Sequence, residues 1–147
     1  MNMKTNIFIV TILCIFISSC KSASHKTSQT DEKQQLEGEW VLNYIKYPQQ
    51  KLQELYSGRI PFIRLDLKQN IVSGNNGCNS FSGKMSVSGN TMNFKGPMTA
   101  TKMYCEGQGE SVFMENLAKT ESFSISKDGK TLQITGGGIL LMSFVKK

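Results

Sequence analysis

Apolar and polar residues alternate with a period of two along most of the chain from Leu36 onward. This alternation is typical of strands that bury one face of a sheet and expose the other. Trp40, Leu42 and Tyr44 follow the pattern, which predicts that they share one buried face. The other alternating runs are residues 63–67, 85–87, 92–94, 123–125 and 132–134.

Turn-forming sequences separate these runs. Gly-Asn-Asn-Gly occupies residues 74–77, Ser-Gly-Asn occupies 88–90 and Lys-Asp-Gly-Lys occupies 127–130. Short turns between short strands favour hairpins, and hence antiparallel pairing. The last run, residues 139–145, is apolar on both faces apart from Ser143, which predicts a strand in the centre of the sheet.

One segment, residues 110–120, has apolar residues at helical spacing. It predicts one helix of about three turns, packed against the sheet. Because closure of a sheet removes exposed strand edges, a small β domain favours strong curvature. We therefore expect a mainly β fold: a small, strongly curved antiparallel sheet or barrel of about seven to eight strands with one α-helix.

The N-terminal segment has the features of a secretion signal. Lys4 precedes an apolar run of about 11 residues, which is too short to span a bilayer but has the length found in signal peptides. The run ends in Ile17-Ser18-Ser19-Cys20, which resembles the lipobox of bacterial lipoproteins. The resemblance implies cleavage before Cys20 and attachment of a diacylglycerol to its thiol. The alternative is an ordinary signal peptide with an accidental cysteine.

Residues 21–35 contain no large apolar side chain, so we expect a flexible tether with an average reach of about 20 Å. The predicted organisation is a signal peptide at 1–19, a lipidated cysteine and tether at 20–35, and a folded domain at 36–147. Lys21 follows Cys20, where the lipoprotein pattern has Asp for inner-membrane retention. We therefore expect a cell-envelope protein anchored to the outer membrane and facing the periplasm.

Composition and charge narrow the range of partners. The chain is 39% hydrophobic and 19% charged, which is a globular composition, and its formal net charge is +6. The lysines are scattered rather than clustered with aromatic residues, which argues against nucleic-acid binding. We expect a monomer that contacts the membrane through lipidated Cys20, with a protein or cell-wall partner of unknown identity.

The residue inventory argues against the common enzymes. Ser-His-Asp and Cys-His sites need a histidine held by the fold, whereas the single histidine, His25, lies in the predicted tether. The spacing from Gly77 to Gly83-Lys84 does not fit a phosphate-binding loop, and nothing in the sequence brings two carboxylates together. The methionines suit core filling better than a soft copper site. We expect no catalytic residue, cofactor or metal.

Two cysteines, Cys78 and Cys105, remain after the predicted processing. In an oxidising compartment two such thiols usually pair, so we expect a disulfide between them. The alternative is two buried free thiols. A zinc site is less favoured because zinc needs four ligands.

The residues around these cysteines resemble a known family. Residues 74–83, GNNGCNSFSG, look like the G-x-x-G-C-N-x-F-x-G segment of the META domain family, the family of the HslJ-type heat-shock proteins. Residues 98–105, MTATKMYC, resemble its T-x-M-x-C segment, and Leu36-x-Gly38-x-Trp40 resembles its opening strand. Ser80 and Glu106 depart from the pattern, where Arg and Pro are common. The motif residues are Gly74, Gly77, Cys78, Asn79, Phe81, Gly83, Thr101, Met103 and Cys105.

The resemblance implies a compact β domain with a helix over residues 36–146, often secreted or lipid-anchored and linked broadly to envelope stress and drug tolerance. From the residues themselves, Gly74, Gly77 and Gly83 suit turns and bulges that need a positive φ. Asn79 suits a tight turn in which it satisfies backbone groups, and Phe81 suits an anchor in the core.

Three functional hypotheses follow. The leading one is a non-enzymatic, lipid-anchored envelope protein that binds a macromolecule or supports the envelope under stress. The first alternative is a carrier that holds a small hydrophobic ligand in a barrel-like interior. The second is a hydrolase inhibitor that uses the loops around Cys78 and Cys105 as a wedge.

Overall fold

The computed structural model describes residues 34–47 and 51–147 of the chain. The predicted signal peptide at 1–19, lipidated Cys20 and most of the predicted tether lie outside the described residues. Within the described ranges, neither helix is long and apolar enough to cross a membrane.

Ten strands of the described residues form one antiparallel sheet, accompanied by two helices. The spatial order of the strands is β5-β6-β8-β9-β10-β1-β2-β3-β4-β7. In chain order the elements are β1 (Gly38–Ile45), α1 (Leu52–Leu55), β2 (Phe62–Asp66), β3 (Ile71–Asn75), β4 (Ser80–Lys84), β5 (Ser86–Ser88), β6 (Thr91–Asn93), β7 (Met98–Ala100), α2 (Gly109–Ala118), β8 (Ser122–Ile125), β9 (Thr131–Gly136) and β10 (Ile139–Lys146).

The sheet curls until its two lateral edges approach each other. Met85 is the single residue between β4, which lies ninth in the strand order, and β5, which lies first. Because one residue connects the ninth strand to the first, the sheet cannot be flat. Met85 is buried, and its N–H donates to the carbonyl of Asn70 at 2.9 Å. The result is a curled half-barrel.

The predicted class is confirmed, but the element count was wrong. The sheet has ten strands rather than seven to eight, because β3, β4 and β7 show no apolar alternation: β3 and β4 each bury one apolar side chain, Val72 and Phe81, and β7 has only three residues. A second helix, α1, is a single turn of four residues that leaves no helical repeat. The predicted helix at 110–120 is α2, and the predicted central strand is β10, which lies between β9 and β1.

The concave side of the sheet is filled with side chains. Phe113 of α2 is fully buried, with its ring centroid 5.8 Å from that of Phe81 and 6.5 Å from that of Phe144. Burial of this apolar surface stabilises the curl. The other fully buried apolar side chains are Trp40, Leu36, Ile63, Leu65, Met92, Leu117, Leu132, Ile134, Met142 and Val72.

One predicted core position was wrong. Trp40 and Leu42 are buried as expected, whereas Tyr44 is 43% exposed. The register between β1 and β10 shifts between Leu42 and Tyr44. Such a bulge inserts one residue into the strand, so the alternation changes face and Ile45 points inward instead.

The sheet has two distinct ends, which we call the base and the tip. At the base, the start of β1 meets the ends of β2 and β10, since Gly38 pairs with Leu65 and Trp40 pairs with Lys146. At the tip, the end of β3 meets the starts of β2 and β4, and α2 lies close by. The base comprises residues 34–39, 64–71, 84, 126–131 and 145–147; the tip comprises residues 45–47, 51–62, 75–80, 101–122 and 135–140.

Candidate functional site

Strand pairing brings the two family motifs together at the tip. β7 pairs with β4, so that Thr99 lies opposite Ser82. The pairing continues past the end of β7, where the N–H of Thr101 donates to the carbonyl of Ser80 at 3.0 Å. The segment 101–105 therefore runs beside the turn 76–79. Of the predicted motif residues, Gly77, Cys78, Asn79, Thr101, Met103 and Cys105 meet here, while Gly74, Phe81 and Gly83 lie in the adjoining strands.

Cys78 and Cys105 form a disulfide, as predicted, and the alternative of two free thiols is set aside. Their Cα atoms lie 6.1 Å apart, and 27 positions separate them in the chain. Cys78 is buried, whereas Cys105 is exposed on the loop. The bond thus ties an exposed loop to a buried turn.

Asn76 holds the turn that carries Cys78. Its side-chain oxygen accepts the backbone N–H of Cys78 at 3.1 Å and that of Asn79 at 2.7 Å. Its own N–H donates to the carbonyl of Asn79 at 3.0 Å, and its side chain is fully buried. The expectation that Asn79 would satisfy the backbone of this turn was therefore wrong, because Asn76 does so.

Asn79 instead connects the turn to the loop. Its Oδ1 accepts the backbone N–H of Met103 at 2.8 Å and the hydroxyl of Thr101 at 2.7 Å. Its Nδ2 donates to the carbonyl of Met103 at 3.1 Å. Because one buried amide engages both backbone groups of Met103, the loop backbone is fixed at this residue.

Glu110, in the first turn of α2, adds a third element to this network. Its Oε1 accepts from Nδ2 of Asn76 and its Oε2 accepts from Nδ2 of Asn79, both at 3.0 Å. Hydrogen bonds to a carboxylate are stronger than neutral ones, and a negative charge is favourable at a helix N-terminus. These contacts were not predicted, since they join residues 34 and 31 positions apart in the chain. Glu110 is half-buried and structural rather than a solvated surface charge.

The glycines of the motif have two different roles. Gly77 has a φ of +101°, as predicted for a turn. Gly74 and Gly83 were wrongly assigned to positive φ, since both lie inside strands and need their small size instead. A Cβ on Gly74 would lie 2.1 Å from the backbone oxygen of Phe62, and one on Gly83 would lie 2.6 Å from Sδ of Met98.

The loop exposes two large apolar residues on this rigid support. Met103 is 59% exposed and Tyr104 is 91% exposed, and Lys102 beside them is also exposed. Below them Phe81 is buried against Phe113, which confirms its predicted role as an anchor. Exposed aromatic and methionine side chains are enriched where proteins bind one another. Lys102–Met103–Tyr104 is the candidate contact element, which we call the tip loop.

A groove of about 440 Å³ lies beside the tip loop, between the α1–β2 connection, the disulfide and the start of α2. Tyr56 forms one wall and donates its hydroxyl to the carbonyl of Gly109 at 2.7 Å; burial raises the pKa of this hydroxyl well above its usual value. Glu106 and Glu110 both line the groove. Since both oxygens of Glu110 accept amide protons, this carboxylate is engaged in the structure of the tip.

No group of three or more His, Cys, Asp or Glu residues within 34–47 and 51–147 is placed to hold a metal ion. The only histidine, His25, lies outside the described residues.

Comparison with known proteins identifies both the family and the fold. The family model of the META domain matches residues 33–147. An NMR structure of a protein from Burkholderia xenovorans is 19% identical with a TM-score of 0.63, over 78% of this chain and 85% of that one. A crystal structure of a DUF4847 family protein from Bacteroides vulgatus is 16% identical with a TM-score of 0.52, over 76% and 94% respectively. At these identities the likeness extends to the fold alone. No curated protein sequence matches the chain.

Proposed function

The chain belongs to the META domain family, and from this premise we propose that it is a non-enzymatic, lipid-anchored envelope protein whose tip loop binds another macromolecule. The observation that supports this proposal best is the exposure of Met103 and Tyr104 on a loop whose backbone is fixed. The disulfide holds one side of that loop, and Asn79 holds the other.

A fixed backbone matters because binding costs free energy whenever a flexible segment must be ordered. Here that cost is met on folding, since Met103 is already bonded through both its N–H and its carbonyl. Tyr104 adds a large rigid side chain with few torsions, which is favourable for an interface.

The proposed anchor suits this arrangement. The lipobox-like residues end at Cys20, and the chain enters the described domain at Gln34, at the base. The tip loop lies at the opposite end, so a membrane attachment through Cys20 would leave it facing away from the bilayer. A part in envelope stress is proposed from the family resemblance.

The first alternative, a carrier of a small hydrophobic ligand, is less favoured because the side chains of Trp40, Phe113 and Phe144 fill the interior of the sheet. Hydrolase inhibition remains a second candidate because a rigid, exposed, disulfide-held loop is the element that such an inhibitor would insert. It is one specific form of the proposed binding.

Site-specific photocrosslinking in intact cells tests the binding role. A photoreactive phenylalanine analogue replaces Tyr104, and a matched control carries it at Gln133, an exposed position on β9. The proposal expects a discrete crosslinked product from position 104 that is absent from position 133. Equal labelling at both positions, or none at position 104, would overturn it.

Intact-mass analysis of the mature protein tests the anchor separately. We expect a chain that begins at Cys20 and carries three acyl groups. A chain that retains residues 1–19, or that has an unmodified cysteine, would refute the lipoprotein assignment.

Adding the purified protein to lysozyme and protease assays tests inhibition. Inhibition that Tyr104→Ala relieves and Gln133→Ala preserves would support this form of the function. Unchanged hydrolase rates with the wild-type protein would count against it.

A further inference from the structure

Charge is distributed unevenly between the two ends of the domain. The base carries seven basic and four acidic side chains, whereas the tip carries five of each. Lys95, on the β6–β7 connection, belongs to neither set. The positive excess of the described domain is therefore concentrated at the base.

Four lysines of the base are exposed and have no carboxylate partner: within the described residues, none lies within 4.0 Å of their ammonium groups. They are Lys68 on the β2–β3 turn, Lys84 at the end of β4, and Lys127 and Lys130 on the β8–β9 turn. All four project from the same end of the sheet, since Ile71 pairs with Lys84 and Val145 pairs with Thr131.

The acidic side chains of the base are engaged internally. Glu39 binds Arg64 at 2.6 Å and Lys147 at 2.7 Å. Asp66 accepts the backbone N–H groups of its own turn, Glu37 accepts that of Leu67 at 2.8 Å, and Asp128, between Lys127 and Lys130, accepts the backbone N–H of Lys130 at 3.0 Å. Their charges are thus partly offset or turned toward the protein, which leaves the lysines to set the potential of this surface.

The base is also where the chain enters the domain. Gln35 lies there, with its carbonyl oxygen 2.6 Å from the ammonium of Lys146 and its side-chain amide beside Gly129. Thirteen residues separate Cys20 from Gln34. A polar chain of that length has an average end-to-end distance of about 20 Å. An acylated Cys20 would therefore hold the base, and not the tip, within reach of the headgroups.

We propose that the base docks on an anionic phospholipid surface through Lys68, Lys84, Lys127 and Lys130, and so directs the tip loop away from the bilayer. This deepens the proposed function by giving the anchored protein an orientation, and it rests on that proposal for the presence of a membrane. The attraction itself does not need acylation. Each lysine near an anionic surface changes membrane affinity by about fivefold.

Vesicle cosedimentation tests the surface without the anchor. The protein used begins at Lys21 and lacks the leader and the acylated thiol; it keeps the whole core, which lies between Leu36 and Phe144. We expect binding to phosphatidylcholine vesicles that contain phosphatidylglycerol, none to phosphatidylcholine alone, and loss at high ionic strength. No binding to the anionic vesicles would overturn the proposal.

Two charge-matched variants distinguish a defined face from net charge. The base variant changes Lys68, Lys84, Lys127 and Lys130 to Gln; the tip variant changes Lys46, Lys51, Arg59 and Lys102 to Gln. Both keep the three lysines of residues 21–33 and have the same net charge. We expect the base variant to bind at least a hundredfold more weakly, and the tip variant to bind like the wild type. Equally weakened vesicle binding in both variants would refute a defined binding face at the base.

The failure of this proposal and the failure of the anchor are distinguishable. Vesicle binding by the unacylated protein reports on the base alone, whereas the mass of the mature chain reports on Cys20 alone. Thermal unfolding of both variants checks that folding is unchanged, as expected for exposed side chains.

Discussion

Replacement of Asn79 by Ala should destabilise the domain more than any exposed polar replacement. The side chain is 2% exposed and makes three hydrogen bonds to neutral groups of Thr101 and Met103, one to the carboxylate of Glu110 and a weak one to Sγ of Cys78. A neutral bond contributes about 1 kcal/mol and a charged one about 1.5–3 kcal/mol. Since Met103 lies on an exposed loop, water partly replaces its bonds. We expect a loss of about 3 kcal/mol of unfolding free energy.

Urea unfolding of the oxidised protein measures this loss, followed by the fluorescence of Trp40, the single tryptophan. The midpoint should fall with an unchanged denaturant slope. The matched control is Asn43→Ala, because Asn43 is an exposed asparagine of β1; it should change stability by less than about 0.5 kcal/mol. A double-mutant cycle with Glu110→Ala should give a coupling of about 1.5 kcal/mol. A loss for Asn79→Ala equal to that of Asn43→Ala would refute this account of the tip.

The other predictions concern close approach, crosslinking and pH. Gly74→Ala should lower the unfolding free energy by about 3 kcal/mol or more, because its Cβ would meet the backbone oxygen of Phe62. Gly58→Ala, with open space around the new Cβ, should leave it unchanged. Equal urea midpoints for the two variants would contradict this. Replacing both disulfide cysteines with Ala should lower the unfolding free energy by about 3.5 kcal/mol in the loop-entropy model, which denaturation of the variant and of the oxidised wild type would measure; equal midpoints would contradict this. Hydrogen bonds from Lys147, and then from Arg64, lower the pKa of Glu39 below its ordinary value of 4.5. The free energy of unfolding should therefore fall as pH drops below 4.5, and it should fall less in Glu39→Gln. The same decrease with falling pH in both proteins would contradict this. Burial raises the pKa of Tyr56, so its contribution should be lost as pH rises above the ordinary value of 10.0; Tyr56→Phe should remove this alkaline loss, whereas exposed Tyr44→Phe should retain it.

The sequence predicted the features of the fold that depend on local periodicity, namely the buried faces of strands and the central strand. Alternation at Trp40 and Leu42 reports a buried face directly, and the doubly apolar run at 139–145 marks a strand with neighbours on both sides. The exposure of Tyr44 was not predicted, because the bulge that causes it depends on the pairing of β1 with β10, which no single run of residues reveals. β3, β4 and β7 were not predicted because their residues do not alternate, and they owe their conformation to the strands with which they pair.

The candidate site was predictable only in part. The cysteines indicated the crosslink, Gly77 indicated the turn, and the family resemblance added Asn79, Thr101 and Met103. Asn76 and Glu110 were missed because their importance arises from contacts with residues distant in the chain. The exposure of Tyr104 is likewise a product of the fold, since an aromatic residue next to a cysteine is as readily buried as exposed.

The shortness of β5 and β7 has a consequence for crowding on a surface. These two strands bound the sheet, and each offers only three residues to a neighbouring molecule. Polymerisation through strand pairing needs a long unpaired edge strand on which a second copy can align. If many copies were held on a membrane, as proposed, each would offer its neighbours only these short strands on which to extend a sheet.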